Sequence, residues 1–272
     1  MAYDWGGDGP PIVFAHATGL HAHVWLPTML ELRDRYHCYG VDVRGQGDSV
    51  VPEGGSFSWD GVADDLVLSL DVLGLIGRGD VHGVGHSQGG FNVTEAARRH
   101  PGTFAGLFLY EPVIFPTPPG GHARSIEESP MVVMARKRRD VFPSREAAAD
   151  NYRGKGPFAR MDEDVLRCYV HWGFDDLPDG TVRLKCRPDH EAALFANAAT
   201  DLFENLHLVS CPVTAALGEF TQDSFKSSVP MVADLLPHGT LLNLAGRTHF
   251  GIFEGVPEMA ELVHQSFVRA GA

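Results

Sequence analysis

The chain reads as an α/β fold: a mostly parallel central sheet flanked by helices, with a helical cap inserted after the strand that ends at Glu111. Three observations predict it. Short apolar runs alternate with segments whose apolar residues recur at helical spacing; each run ends in Gly, Asp or Ser; and the alternation stops near residue 116 and resumes after residue 207. Residues 12–15 (IVFA) form the first buried-strand pattern, entered through the turn residues 6–11, and residues 36–43 form the next, running into the loop RGQGDS. A helix is expected over 62–75, a strand over 80–85, a helix over 91–100 stopped by Pro101, and a strand over 105–110. The segment 116–207 carries Pro/Gly turns, a basic stretch at 136–139 and helix-like pieces at 144–152 and 162–172, so it reads as the insertion into a core made of 1–115 and 208–272. The sheet then resumes with a strand at 213–217, a helix at 229–236, a strand at 240–244 and a last helix at 259–270.

Composition narrows the function classes. A length of 272 residues holds one large domain or one domain with an insertion, and 44% hydrophobic with 21% charged residues is enough to bury a real core. The formal net charge of −13 repels phosphate backbones and anionic membranes, so neither nucleic acid nor membrane is expected as a partner; oligomeric state is open. No apolar run approaches the ~20 residues that span a bilayer, and the first residues lack a signal-peptide pattern, which makes a cytoplasmic protein the expectation. Cys38, Cys168, Cys186 and Cys211 show no C-x-x-C spacing and read as buried thiols. No internal repeat is present.

The chemistry is concentrated at Gly85-His86-Ser87-Gln88-Gly89, a G-x-S-x-G directly after a strand and directly before a helix. The turn between them is sharp, and small flanking residues let Ser87 sit strained with its hydroxyl above the sheet. A serine hydroxyl needs a base, and His249, in the loop AGRTHFG after the last expected strand, is placed to reach back over the sheet. His238 precedes that strand and His264 falls inside a helix, so both read as surface or packing residues. The base needs a carboxylate, and two places offer one: Glu111 at the end of AGLFLY, and the loop GEFTQDS with Asp223 and Glu219. Two backbone N–H donors should stabilise the developing alkoxide, one from Gln88 and one from Thr18 in the loop HATG.

Together these motifs resemble the α/β-hydrolase superfamily, in its serine-nucleophile branch with a cap insertion. IVFAHATG is similar to that family's strand and H-G-x oxyanion loop with Ala17 in place of Gly, GVDVRGQGDS to its D-x-R-G-x-G-x-S turn, and GHSQGG, CPVTAALGE and GRTHFG to its nucleophile elbow, acid strand and histidine loop. The acid departs from the pattern: where G-E-x-D is usual, this chain has Thr221. A branch similar to some haloalkane dehalogenases carries the acid where Glu111 stands, and that slot is filled without a shift, whereas Asp223 needs a two-residue bulge, so Glu111 is the preferred acid and Asp223 the alternative.

The resemblance implies hydrolysis of a small or medium carboxylic ester through an acyl-enzyme on Ser87, with no cofactor and no metal. Carbon–carbon bond hydrolysis, a thioesterase, a lactonase, a cofactor-free perhydrolase and acyl transfer to an alcohol or amine fit the same residues, and a non-catalytic ligand receptor of the same fold is the alternative from a different class. Trp25, Phe115, Met131, Met134 and Trp172 are candidates to line an acyl pocket for a small-molecule substrate below the cap. His16, His21 and His23 lack an accompanying carboxylate or cysteine at ligand spacing and read as loop packing; Asp42 and Arg44 read as a brace for neighbouring loops, His82 and His86 as structural, and the run RKRR at 136–139 as a solvated helix face.

Overall fold

In the computed structural model, which describes residues 1–118, 129–198 and 200–270, the chain begins β1 (Ala2–Gly6), β2 (Pro11–Ala15), α1 (Leu26–Leu32), β3 (His37–Val41), α2 (Trp59–Val72), β4 (Val81–His86), α3 (Gln88–Arg99), β5 (Phe104–Tyr110). Next come α4 (Pro130–Arg136), β6 (Val141–Phe142), α5 (Arg145–Tyr152), α6 (Glu163–Trp172), β7 (Phe174–Asp176), β8 (Val182–Leu184) and α7 (Pro188–Ala196). The chain finishes β9 (Val213–Phe220), α8 (Asp223–Leu235), β10 (Gly239–Thr248), α9 (Val256–Ala270).

Among the described residues one sheet has the order β1-β3-β2-β4-β5-β9-β10, parallel throughout except that β1 pairs antiparallel with β3. The alternation of β2 explains its place near the centre: Ile12 and Phe14 enter one apolar layer with Trp25, Met259 and Val263, while Val13 and Ala15 enter the other with Leu66, Leu70 and Phe91. The chain steps from β2 outward to β3 and then back across to β4, so the carboxyl ends of β2 and β4 flank the point where strand order reverses. In open α/β sheets ligands bind there, and the loops that leave those two strands carry Thr18 and Ser87.

Several elements differ from expectation. The antiparallel β1 was not foreseen, because an edge strand with a half-buried pattern gives little apolar signal. A one-turn 3₁₀ helix over Ala22–Trp25 leads into α1, an element also not foreseen. α8 starts at Asp223, well before residue 229, and passes through Pro230 in its interior. β10 runs on to Thr248, so His249 follows the strand itself. The segment between β5 and β9 carries the four short helices α4 to α7 among its described residues and also folds a small antiparallel sheet, β6-β8-β7, whose strands of two and three residues are too short to leave a period in the sequence. Within it Arg136, Lys137 and Arg139 of the basic run are exposed, but one residue of the run is not. Arg138 turns inward and makes a bidentate pair with Glu191 of α7 at 2.9 and 2.8 Å, with the hydroxyl of Tyr169 on its other nitrogen. Among the described residues no helix is long and apolar enough to cross a membrane. Residues 119–128 and 199 of the expected insertion lie outside the described residues.

Candidate active site

Ser87 stands between the end of β4 and the start of α3 with φ 55° and ψ −115°, a left-handed conformation rare for a residue with a side chain. Neighbouring strands hold it there: its N–H donates to the Tyr110 carbonyl at 3.0 Å, and its carbonyl accepts from Val113 at 3.1 Å and Phe91 at 3.3 Å. Gly89 is required by close approach, since a Cβ there would lie 2.1 Å from the Ala15 carbonyl oxygen on β2.

Glu111 is the other described non-glycine residue with a positive φ, 44°, and it is fully buried just past β5, next to β4 in the sheet. Its Oε2 lies 2.6 Å from Nδ1 of His249, while its Oε1 accepts the Gly218 N–H at 2.8 Å and Oε2 also accepts the Thr221 hydroxyl at 2.6 Å. Three donors keep a carboxylate satisfied away from water. Gly218 permits the approach, because a Cβ on it would meet the Arg247 carbonyl oxygen at 2.7 Å and the Tyr110 hydroxyl at 2.9 Å. Asp223 is exposed and opens α8, where its charge complements the helix N-terminus, and Glu219 is exposed and accepts the Gly246 N–H at 2.7 Å. Of the three carboxylates weighed from sequence, the structure brings only Glu111 to His249.

The histidine loop is tied down on its carbonyls. Tyr110 donates to Thr248 at 2.7 Å, and Nε2 of His86 lies 2.8 Å from the His249 carbonyl oxygen. Burial, with His249 alongside, holds His86 well below the ordinary histidine range, so it is a neutral strut. The His249 ring stacks on Phe225 of α8 at 4.5 Å and meets Phe250 edge-on at 5.3 Å. With Nδ1 engaged by Glu111, Nε2 is the nitrogen left to act as base. His238 is exposed at the turn before β10, and His264 bonds Tyr36 at 2.9 Å, both away from this cluster.

At the opposite side, Gln88 begins α3, where helix geometry leaves its N–H without an intrahelical acceptor. Thr18 is half-buried in the loop after β2. A residue not singled out from sequence joins these two sides: Gln46, fully buried in RGQGDS, accepts the Gly19 N–H on Oε1 at 2.5 Å and donates from Nε2 to the Gln88 side chain at 3.4 Å. The same turn is braced as expected. Asp42 accepts from Ala22, Asp48 and Tyr3 at 2.6, 2.9 and 2.8 Å, and Arg44 grips Asp65 at 2.8 and 2.7 Å. His16, His21 and His23 each find separate partners, in the Ala17 carbonyl, the Tyr169 carbonyl and the Trp172 ring, and burial lowers His21 to about 4. Among the described residues no group of His, Cys, Asp and Glu is placed to hold a metal ion.

The expected pocket lining is largely redistributed. Met131, Met134 and Trp172 are 48%, 69% and 40% exposed, and Trp172 stacks outward on His23. Apolar residues of an exposed helix face cannot be told from pocket residues by type alone. Trp25 is a core residue packed between Phe14 and Phe253. Phe115 does approach the site, resting 5.6 Å from Phe225, whose other neighbour is His249. The inserted segment meets the site through other side chains: Phe158 lies 6.4 Å from Phe250, Asp162 accepts the N–H groups of Gly255 and Val256 at 2.9 and 2.8 Å, and Glu191 packs so closely on Gly19 that a Cβ there would sit 2.4 Å from its carboxylate oxygen.

Comparison with known proteins agrees with this architecture. A family model described as the alpha/beta hydrolase family matches residues 12–263. The chain is 25% identical over 268 residues, 97% of its length and 90% of the relative's, to the 2-(acetamidomethylene)succinate hydrolase of Mesorhizobium japonicum. It is 31% identical over 181 residues, 63% of its length but only 41% of the relative's, to a type I acyl-CoA thioesterase of Penicillium roqueforti. The crystal structure of an E-2-(acetamidomethylene)succinate hydrolase superposes with a TM-score of 0.81 at 22% identity, covering 99% of this chain and 94% of that one, a likeness of fold. With the family model spanning most of its length, the chain belongs to the alpha/beta hydrolase family.

Proposed function

We propose that the protein is a serine hydrolase that cleaves a small or medium carboxylic ester through an acyl-enzyme on Ser87. The observation that carries this reading is the 2.6 Å contact between Glu111 Oε2 and His249 Nδ1, made beside a serine held at positive φ on a strand-to-helix turn. The relatives named above are, by name, a 2-(acetamidomethylene)succinate hydrolase and an acyl-CoA thioesterase, which supports hydrolysis as the reaction class.

In the first half-reaction His249 Nε2 takes the proton of the Ser87 hydroxyl as its oxygen attacks the ester carbonyl. Glu111 remains ionised; it fixes the histidine tautomer and stabilises the imidazolium. The oxyanion of the tetrahedral intermediate lies between the N–H groups of Gln88 and Thr18, a type of donor whose loss costs roughly 10²–10³ in kcat. Collapse breaks the bond to the alcohol oxygen, which leaves with the proton from His249. Water then enters, gives its proton to His249, attacks the acyl carbon and releases the acid, restoring Ser87. The segment between β5 and β9 serves as the cap, shaping the acyl and alcohol subsites and limiting water.

Hydrolysis of a p-nitrophenyl ester series from acetate to octanoate by the wild type, Ser87→Ala, Glu111→Gln and Asp223→Asn tests the proposal. Turnover by the wild type and by Asp223→Asn, with loss in the other two, is expected. Undiminished turnover in Ser87→Ala would refute it.

A further inference from the structure

The loop between β9 and α8 holds a hydroxyl where the family resemblance leads one to look for an acid, and its contacts give that hydroxyl a purpose. Thr221 Oγ1 and His249 Nδ1 both lie 2.6 Å from the same oxygen, Oε2 of Glu111, while the Gly218 N–H holds the other oxygen at 2.8 Å. Gly218 and Thr221 belong to one strand and the loop that leaves it, so a single short stretch of chain grips both oxygens of a carboxylate that reaches it from β5. Thr221 is itself held between Phe220, the last residue of β9, and Gln222, the N-cap of α8, and its β-branched side chain has few rotamers. A glutamate has three side-chain torsions to lose, and one hydrogen bond to His249 does not fix them; a hydroxyl converging on the same oxygen does.

We propose that Thr221 is a positioning residue that aims Glu111 at His249. This rests on the hydrolase reading above. Thr221 Oγ1 is only two hydrogen-bond lengths from His249 Nδ1, through Glu111 Oε2.

The test reads the activation of Ser87 without a choice of substrate: the rate of Ser87 labelling by a fluorophosphonate in the wild type, Thr221→Val, Thr221→Ser and Glu111→Ala, with the thermal midpoint of each. Glu111→Ala should label roughly 10³–10⁴-fold more slowly, the scale of losing triad orientation. Thr221→Val should slow labelling about 3- to 10-fold, the effect of one hydrogen bond, and lower kcat on any ester turned over with KM unchanged, while Thr221→Ser stays near the wild type. Equal rates for Thr221→Val and the wild type overturn the positioning role. A wild type that takes no label overturns the hydrolase reading itself, and the inference with it.

Discussion

The two parts of the chain hold their chemistry in different ways. In the sheet, the reacting groups sit at strand ends under backbone control: Ser87 and Glu111 follow adjacent strands, both at positive φ, and β9 and β10 present Gly218, Thr221 and His249 to them. In the inserted segment the contact with the site is made by side chains far apart in sequence, above all Arg138 and Glu191, 53 positions apart and joined against Gly19. A rigid sheet fixes a reaction type, while a segment joined by long-range pairs can change its surface without disturbing that reaction. On the proposed function, reaction class lies with the sheet and substrate choice with the insertion.

The largest effects should come from the sheet. Ser87→Ala should lower kcat by about 10⁶, as loss of a serine nucleophile does elsewhere, with KM and thermal midpoint little changed, measured on the best ester of the series. Glu111→Gln should lose about 10⁴, the scale of a histidine left in the wrong tautomer, and Asp223→Asn less than about twofold, because its exposed carboxylate only complements the N-terminus of α8 from its first turn. An equal fall in both would contradict Glu111 as the acid and blur the comparison.

The insertion should respond in stability and KM before kcat. Arg138 and Glu191 are 18% and 10% exposed, so removing one partner leaves a largely buried charge; Arg138→Leu should cost about 3–5 kcal/mol by chemical denaturation, and Arg138→Leu/Glu191→Leu should regain much of it. Gln46 tests the seam between the two parts. Gln46→Ala leaves the Gly19 N–H without its acceptor next to the oxyanion loop, and a fall of about tenfold in kcat with little change in KM is the expected signature.

A smaller effect concerns acid. His21 and His82 are both lowered by burial to about 4, so both are neutral in the folded chain at neutral pH. Their unfolded forms take up protons below about 6.5, which the folded chain does not until about pH 4. The thermal midpoint should therefore hold steady from pH 8 to about 6.5 and decline from there toward pH 4, and His82→Phe, which keeps a ring against Tyr36 and Phe267, should flatten part of that decline.

What was legible in the sequence follows the same division. GHSQG between an apolar run and a helical one, and THFG after the last run, can be read because strand, turn and helix are local and their residues adjacent. The choice between Glu111 and Asp223 was harder. Spacing alone did not reveal that Glu111 would take φ 44°, against the preference of a residue that precedes proline, or that Asp223 would be drawn into the first turn of a helix that continues through Pro230. Thr221 showed itself only as a break in a pattern. Its meaning lies in a carboxylate 110 positions away in sequence. Arg138 was read as solvated because charge runs usually are, and its inward turn depends on Glu191, Tyr152 and Tyr169, none of them near it in sequence. Pocket lining failed for a related reason: Met131 and Met134 share the residue types of a pocket and the exposure of a surface.

The central claim, covalent catalysis by Ser87, is tested most directly by rapid acid quench of the wild type with a p-nitrophenyl ester, followed by mass spectrometry of its peptides. The account predicts one acyl group per chain, carried on the peptide that contains Ser87 and absent from Ser87→Ala, appearing with the initial burst of p-nitrophenol. An acyl group on another residue, or steady turnover by Ser87→Ala with no adduct, would contradict it.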